Sequence, residues 1–435
     1  MQQIIFILII GIVGYLAVKR YGKVVRAIRL GKEYSPTGSV TERLKNVFLI
    51  ALGQKKMFKN FMPALFHGFI YVAFLLTQIE LIEILIDGFF GSHRYFAPHL
   101  GGLYTLVINL IEILSFLALI ATFVFLSRRN LLKVPRFVKP EMGGWPKLDA
   151  NYILLGELLL LIGIFTMNGA DKVLQTVDPA HYAYTGPLAV SSWLGPMLFG
   201  GKSLGTLVFL ERFGWWLHIL VVFGFILYLP VSKHLHIFLA FPNVYFTGIK
   251  PRGEMDNMPE IMNEVKSMFG LESAGESGMA DGEMPQFGAK DVTDLSWKNI
   301  MDAYSCTECG RCTAACPANL TGKKLSPRKI MMDVRDRAEY LVNSNISDGT
   351  SEVNTDGGLF ERITAEELHA CTTCNACVEE CPVLINPLDI ILKMRRYEIL
   401  TLSAGPADWT PMFTSLENSG AVWQVTQERD AWRQE

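Results

Sequence analysis

The sequence has little net charge, no phosphate-binding glycine loop, and no cysteine before Cys306. A net charge of −2 over 435 residues gives no basic footprint for nucleic acid, so we expect no nucleic-acid partner. No G-x-G-x-x-G run follows a strand pattern, so no bound flavin or nicotinamide is predicted. All eight cysteines lie between Cys306 and Cys381, and their spacing argues against a disulfide framework.

Apolar residues are abundant but unevenly placed. Half of the residues are hydrophobic, and the long apolar runs lie in roughly the first 240 residues. A membrane span takes about 20 apolar residues, and five runs qualify. The first run has no basic n-region and no small-residue cleavage site, so we expect a transmembrane helix rather than a cleaved leader. The predicted spans are 3–18, about 62–88, about 102–126, about 151–169 and about 206–230, the last with an apolar extension to about Phe241.

Lysine and arginine are concentrated in two of the connections between these runs. One basic stretch follows the first run, from Lys19 to Lys59, and another joins the third and fourth runs, from Arg128 to Lys147. Because such loops stay on the cytoplasmic side, the N-terminus is predicted outside and the cysteine-bearing half inside. Thiolate ligands also need a reducing compartment. We therefore expect a multi-pass protein of the cytoplasmic (inner) membrane with its C-terminal half in the cytoplasm.

Two segments of the pattern C-x2-C-x2-C-x3-C-P contain every cysteine. CTECGRCTAACP begins at Cys306, and CTTCNACVEECP begins at Cys371. In this pattern three thiolates bind one cubane and the fourth reaches the other cluster, which predicts two [4Fe–4S] clusters. Two zinc sites are the alternative, but three-plus-one spacing followed by proline is not the zinc pattern. The predicted ligand sets are Cys306, Cys309, Cys312 and Cys381 for one cluster, and Cys371, Cys374, Cys377 and Cys316 for the other.

Histidines near the apolar runs are candidate ligands of b-type haem, whose iron takes an imidazole from each side. His218 and His236 are 18 residues apart. On one continuous helix this spacing predicts a shared face and about 27 Å between two haem levels. His67 and His236 lie at the same inner depth and form the predicted inner pair, with His234 as a further candidate. For each of these histidines, the alternative is a side chain that only packs against its neighbours or contacts lipid headgroups.

The outer partner of His218 is left open. Thr77 occupies the position ten residues after His67, so His93 and His99 in the following connection are the remaining candidates. Both could equally be surface loop residues.

Four acids within the runs are candidates for proton transfer with a quinone, since buried ionisable groups in spans are functional candidates by default. These acids are Glu80, Glu83, Glu112 and Glu157.

The composition predicts four parts along the chain. We expect a transmembrane cytochrome-b-like domain at 1–241, a flexible linker at 242–295 with one short helix at about 257–269, a two-[4Fe–4S] ferredoxin-like domain at 296–400, and a tail at 401–435. The stretch GLESAGESGMADGEMP is predicted to be a solvated connection. The fold class is thus an all-α membrane bundle of five transmembrane helices plus a C-terminal, mostly α-helical ferredoxin-like domain.

These segments resemble a known family. CTECGRCTAACPANLTGKKLSPRKIMMDVRDR followed by CTTCNACVEECPV resembles the ferredoxin domain of heterodisulfide-reductase-like iron–sulfur proteins. WWLHILVVFGFILYLPVSKHLHI resembles their cytochrome b subunit and the gamma subunit of respiratory nitrate reductase. The fused arrangement is similar to membrane-bound electron-transfer-flavoprotein:menaquinone oxidoreductases. The resemblance implies axial positions at His67, His218 and His236, and a quinone site near a b haem.

The resemblance also sets expectations for partners. The family's cysteine-rich catalytic domains have no counterpart here, which implies that a separate cysteine-rich subunit or an electron-transfer flavoprotein supplies the substrate-converting site. We expect an oxidoreductase subunit that relays electrons from this cytoplasmic donor to menaquinone in the membrane lipid. The electrons would pass through two clusters and one or two b haems, and the reverse direction is the alternative. A haem-free anchor for a larger redox complex is one alternative, and a redox-coupled ion-pump subunit is another.

Overall fold

The computed structural model of the chain describes residues 2–251, 253–271, 286–344, 358–423 and 430–433, and the regular elements in these ranges are helices joined by turns and loops. The α-helices are α1 (Gln2–Ile28), α2 (Val40–Asn46), α3 (Phe61–Phe90), α4 (Phe96–Leu100), α5 (Gly102–Asn130), α6 (Trp145–Val177), α7 (Ser191–Phe199), α8 (Leu204–Tyr228), α9 (His236–Tyr245), α10 (Pro259–Met268), α11 (Trp297–Ser305), α12 (Arg311–Ala315), α13 (Pro317–Leu320), α14 (Pro327–Asn343), α15 (Ala365–His369), α16 (Ala376–Glu380), α17 (Pro387–Arg396) and α18 (Trp409–Ser419).

Shorter helical turns and one isolated bridge complete the described structure. No strand occurs in the described ranges, where Lys32 and Ser296 form the isolated bridge, and the predicted all-α class is confirmed. The turns are Val47–Leu52 and Tyr397–Thr401 of π type, and Met57–Lys59, Pro135–Phe137, Pro140–Met142, Leu229–Val231, Lys233–Leu235, Val292–Asp294, Gly358–Glu361 and Ala431–Arg433 of 3-10 type.

Five helices are long and apolar enough to span a membrane, as the hydropathy pattern predicts. They have 27 to 33 residues each, which at 1.5 Å per residue is roughly 40–50 Å and exceeds the hydrocarbon core of a bilayer. The chain is therefore a membrane protein. The five spans are Gln2–Ile28, Phe61–Phe90, Gly102–Asn130, Trp145–Val177 and Leu204–Val231.

The fifth span differs from the prediction at its inner end. Helix α8 ends at Tyr228, a 3-10 turn around Pro230 follows, and His236 begins the separate helix α9. Proline removes a backbone donor and disfavours the helical conformation of the residue before it, which explains the break. The expectation that His218 and His236 share one face of a continuous helix, five turns apart, is therefore wrong.

Glycine contacts bring α6 and α8 close together in the bundle. A β-carbon at Gly214 would lie 2.5 Å from the backbone nitrogen of Met167 and 2.7 Å from the carbonyl oxygen of Gly163. Real β-carbons do not approach other atoms this closely, so a larger residue would force the helices apart. Small residues serve the same purpose in other membrane bundles, where close packing replaces the hydrophobic driving force.

The C-terminal domain packs directly on the end of the bundle where α1 ends. Val24 and Ala27 of α1 belong to the same buried apolar core as Ile300, Val334 and Ile390 of the C-terminal domain. The chain just after α1 pairs with this domain through backbone bonds, Lys32 N to Leu295 O at 2.8 Å and Trp297 N to Lys32 O at 3.0 Å. The two parts are therefore joined by a packed interface in addition to the covalent connection.

The segment expected to be a linker is partly structured. Helix α10 lies where a short helix is predicted. Val292 and Leu295, which were expected in the linker, are fully buried in the core of the C-terminal domain. The solvated connection predicted at 270–285 lies almost entirely outside the described residues, as does most of the polar stretch 343–358 between the two cysteine motifs.

Candidate metal centres

The eight cysteines line two neighbouring cavities in the C-terminal domain. We call Cys306, Cys309, Cys312 and Cys381 the first quartet; they line one cavity, to which Cys377 also contributes. The second quartet, Cys316, Cys371, Cys374 and Cys377, lines the other. Each quartet takes one cysteine from the opposite motif, which is the crossed arrangement that the spacing predicts. Ligation by these residues stays a prediction.

The donors around the cavities bear on what they can hold. Both cavities are partly open to solvent, and cysteines from both motifs line each of them. Within the described ranges, no three His, Cys, Asp or Glu side chains are close enough to hold a single metal ion together. Four sulfur donors spread around such a cavity fit a [4Fe–4S] cluster.

The two ligand loops share one unusual backbone conformation. Glu308 and Thr373, at equivalent positions, have φ of +52° and +55°, and Gly310 and Asn375 have φ of +71° and +61°. Repeated positive φ values wrap the loop tightly, so that three cysteines of each motif face the same cavity. Backbone amides also approach sulfur, with Ile385 N at 3.2 Å from Cys381 Sγ. Hydrogen bonds of this kind tune a bound cluster.

Burial varies within both quartets. Cys306 of the first quartet and Cys316 and Cys377 of the second are buried, whereas Cys374 of the second is exposed together with its neighbours Thr372 and Thr373. Burial raises the pKa of Cys306, Cys377 and Cys381 to about 12. A bound metal displaces the proton of a coordinating thiol, as expected for cluster ligands. The edge of the second quartet at Cys374 is therefore the part that a soluble molecule can approach.

A chain of buried charges connects the first ligand loop to the membrane part. Glu308, 2% exposed, bonds Lys233 through one carboxylate oxygen and Arg335 through the other, the latter at 2.9 Å. Lys233 lies 3.9 Å from Asp149 at the start of α6. Burial opposes ionisation of Glu308, but Lys233 and Arg335 outweigh burial and lower the pKa of its carboxyl group. The loop is thereby fixed against the segment that carries His234 and His236.

A second connection runs through the loop between α2 and α3. Arg311 of the first motif donates to the carbonyl oxygens of Lys56 and Met57, at 3.2 and 3.5 Å. The Lys56 ammonium group donates to the carbonyl oxygen of Glu379 in the second motif, at 2.9 Å. One membrane-side loop therefore contacts both cysteine motifs. The same loop contains Gln54, whose side-chain oxygen lies 3.0 Å from His67 Nδ1.

The inner histidines converge beside this loop. His236 Nδ1 lies 3.1 Å from the carbonyl oxygen of Lys233, so both His67 and His236 have an acceptor at Nδ1. Ligating histidines almost always donate the other ring nitrogen in this way, which leaves Nε2 for iron. His234 Nδ1 has no partner among the described residues, and its ring centroid is 5.6 Å from that of His236. Burial lowers the pKa of His234 to about 3, and the adjacent His236 and His67 contribute to this decrease.

The outer histidines do not converge. His218 Nδ1 lies 3.1 Å from the carbonyl oxygen of Leu160, whereas His93 Nε2 lies 3.3 Å from Asp171. Leu160 and Asp171 are eleven residues apart on α6, which is about 16 Å along the helix axis. His99 stacks on Tyr95 with ring centroids 4.7 Å apart. Neither His93 nor His99 therefore lies at the level of His218 along the bundle. Among the described residues, no second histidine faces His218.

Three of the four acids singled out from the sequence belong to a buried network at the end of the bundle opposite the C-terminal domain. Arg94 lies 3.4 Å from Glu80 and 3.4 Å from Asp171, and Glu83 accepts from Tyr104 at 2.9 Å. Glu112 accepts from the backbone of Val190 and Ser191 at 2.8 and 3.1 Å, at the start of α7. The fourth acid, Glu157, lies apart and accepts from Thr122 at 3.2 Å.

Several residues of these sites were not predicted from sequence. Lys233, Glu308 and Gln54 are the principal ones. A signal existed for Glu308, because CTEC carries an acid where the equivalent CTTC carries threonine. Lys233 stands directly before His234, but no spacing rule connects it to a motif 75 residues later. Arg94 was not predicted as part of a site either.

Comparisons with known proteins agree with the cysteine geometry. Residues 305–385 match the model of a 4Fe–4S dicluster domain. Over the whole chain, the protein is 27% identical to the "probable iron–sulfur-binding oxidoreductase FadF" of Bacillus subtilis, covering 61% of that protein. Over 89% of the chain it is 26% identical to the "EtfAB:quinone oxidoreductase" of Syntrophomonas wolfei, covering 53% of it. No solved structure gives a significant match.

A third relative matches a shorter part of the chain at higher identity. Over 23% of the chain, the protein is 35% identical to a subunit of the ferredoxin:CoB-CoM heterodisulfide reductase of Methanosarcina mazei, covering 48% of that subunit. The predicted resemblance to heterodisulfide-reductase-like iron–sulfur proteins is thus confirmed. The chain spans only about half to three fifths of the length of its two full-chain relatives. It combines a match to a 4Fe–4S dicluster domain with five helices that are long and apolar enough to span a membrane.

Proposed function

We propose that the protein passes electrons between a cytoplasmic redox partner and the quinone pool, by way of two [4Fe–4S] clusters and one b haem. When bound, these groups supply one-electron redox chemistry, and the chain holds and orients them. The observation that carries the proposal is the direct bonding of the first ligand loop to the segments around the inner histidines. Glu308 binds Lys233, and Arg311 binds the backbone of Lys56 and Met57.

The ligand assignment follows from the same contacts. We assign the first quartet to the cluster nearest the membrane part and the second quartet to the cluster that faces solvent. His67 and His236 would hold the inner haem, because each has its Nδ1 fixed by an acceptor. His234 and His93 lack these features and are not assigned as ligands. His218 keeps a similar Nδ1 bond but no opposing histidine.

The orientation and the partners belong to the same proposal. The basic connections favour the inner membrane, with the N-terminus outside and the C-terminal domain in the cytoplasm. The relatives' names include an EtfAB:quinone oxidoreductase and heterodisulfide reductase subunits, which supports an electron-transfer flavoprotein or a cysteine-rich subunit as donor and menaquinone as acceptor. The exposed loop Thr372–Cys374 is where that donor would approach. The reverse direction uses the same contacts.

Analysis of the purified protein tests this function. We expect about eight iron and eight labile sulfide per chain from the clusters, with additional iron from haem. The dithionite-reduced minus oxidised spectrum should show sharp b-type bands. Zinc in place of iron and sulfide would contradict the entire proposal. Full cluster content without haem bands would reject the quinone relay and favour a haem-free anchor for a ferredoxin domain.

A further inference from the structure

The connection between α1 and α3 contains an exposed apolar stripe. Val40, Leu44 and Phe48 recur every four residues along α2 and the π-helical turn Val47–Leu52, and Leu52 continues the series. All four are exposed, Phe48 by 63%. Spacing of this kind places side chains on one face of a helix, and such a face is normally buried. In this protein nothing described covers it.

The segment cannot bury the stripe by rotating, because another face of it is already fixed. The Arg43 guanidinium lies over the ring of Tyr245 in α9, 4.8 Å from its centroid, and Ala51 is buried. Ser39 and Glu42 form a reciprocal capping box that holds the start of α2 in place. These contacts therefore keep the stripe facing away from the rest of the protein.

The surroundings of the stripe indicate what covers it. Exposed Phe58, Phe61 and Met62 follow it and continue onto the lipid-facing surface of the span α3. Lys45 and Lys55 are exposed nearby, and no described acid forms an ion pair with either. An apolar stripe flanked by lysines and continuous with a transmembrane surface has the features of a helix lying in the membrane interface.

We propose that residues 40–52 form an in-plane helix seated in the cytoplasmic leaflet, with the stripe among the acyl chains and Lys45 and Lys55 at anionic phospholipid headgroups. Juxtamembrane lysines are attracted by the negative surface potential of that leaflet. Gln54, Lys56 and Met57 follow this helix directly and contact His67 and Arg311. Insertion of the helix therefore positions the loop that connects the inner histidines to the first ligand loop, a consequence that rests on the proposed function.

Spin-label accessibility tests the insertion. Single variants Leu44→Cys and Phe48→Cys, labelled in the cluster-loaded full chain, are compared with the control Asn46→Cys, which at about 100° per residue lies on the opposite side of the helix from the stripe. The protein is placed in nanodiscs containing phosphatidylglycerol, with labelled wild type as the blank for native cysteines. We expect labels at 44 and 48 to collide preferentially with oxygen, and the label at 46 with a water-soluble nickel chelate. Equal exposure of all three labels to the nickel chelate would overturn the proposal.

Lipid charge provides a second readout. In nanodiscs of neutral phosphatidylcholine, or in the double variant Lys45→Gln/Lys55→Gln, the oxygen preference of the label at Phe48→Cys should decrease. An unchanged preference would contradict the role of the headgroups, and insertion would then rest on the apolar stripe alone. Neither measurement depends on haem content, so failure of the electron-transfer proposal would leave these results interpretable.

Discussion

Single residues decide how the two parts of this protein are connected, and Glu308 is the clearest case. Its carboxylate joins Lys233 on the membrane side to Arg335 in α14 while it sits between two predicted cluster ligands. The equivalent Thr373 of the second loop is exposed and has no such partner among the described residues. The negative charge at 308 therefore serves the junction rather than the general architecture of the ligand loop.

Replacement of Glu308 tests this role. We expect Glu308→Gln to lower the free energy of unfolding by up to about 3–5 kcal/mol, because Lys233 and Arg335 would lose their buried counter-charge. Removing a negative charge beside the first quartet should also raise the reduction potential of its cluster, since an added electron meets less repulsion. Thermal unfolding and an EPR-monitored redox titration measure the two effects.

Thr373→Val is the matched control for this change. It alters the same position of the second loop at an exposed site, so it should change stability by no more than about 0.5 kcal/mol. It should also leave the potential of the first cluster unchanged. Equal effects of the two variants on that cluster would contradict a specific role for Glu308.

The inner histidines give a second test at this scale. His67→Ala and His236→Ala should each abolish the inner b-type absorbance, whereas His234→Ala should retain it, because only the first two have an acceptor at Nδ1. Gln54→Ala, which removes the acceptor of His67, should weaken haem binding by about 10–100-fold. Pyridine haemochrome analysis and haem titration of the purified variants measure both. Loss of haem in His234→Ala with retention in His236→Ala would reverse the assignment.

Residues whose spacing along the chain is set by cluster chemistry could be predicted from the sequence. Residues that only folding brings close together could not. The cysteines were found because a cubane dictates their separation along the chain. Gln54 and Lys233 were not predicted, because a hydrogen bond to a histidine or to an acid in a distant motif requires no fixed spacing along the chain. His93 was a candidate from loop position alone, and the structure pairs it with Asp171 instead.

At the scale of elements, the spans were predictable and their ends were not. Apolar runs of sufficient length identify all five, because the bilayer requires that length and composition. The break after Tyr228 depends on Pro230, which hydropathy does not register because the apolar run continues past it. This single break changes the geometry of the fifth span and invalidates the five-turn relation between His218 and His236.

The contact of α6 with α8 leads to a prediction about helix packing. Gly214→Ala should destabilise the protein by about 1–3 kcal/mol, because the added methyl group would meet the backbone of Met167 and Gly163. Gly224→Ala on the same helix is the control, since a β-carbon there has nothing within 4 Å. It should be neutral or slightly stabilising, as alanine favours helix more than glycine does. Thermal unfolding in detergent compares the two, and equal destabilisation would contradict the close approach.

At the scale of the whole molecule, the membrane part and the C-terminal domain share one buried core, because the core of the C-terminal domain includes the end of α1. Val24 and Ala27 are buried against it, and the backbone at Lys32 pairs with Leu295 and Trp297. Sequence composition predicted two domains and a linker but not this interface, since an apolar helix end looks the same whether it meets lipid or protein.

Cleavage of the connection tests whether this interface holds the molecule together. A protease site inserted within 272–285, the stretch predicted to be solvated, should be cut without separating the two halves, which should co-elute from a size-exclusion column in detergent. Gly31→Leu should release the C-terminal half after the same cut, because a β-carbon at Gly31 would lie 2.4 Å from the backbone nitrogen of Trp297. Gly22→Leu, at a site with nothing within 4 Å of an added β-carbon, should not. Separation of the halves in the cleaved wild type would mean that the covalent connection, and not the packed interface, keeps the cysteine-bearing domain at the membrane.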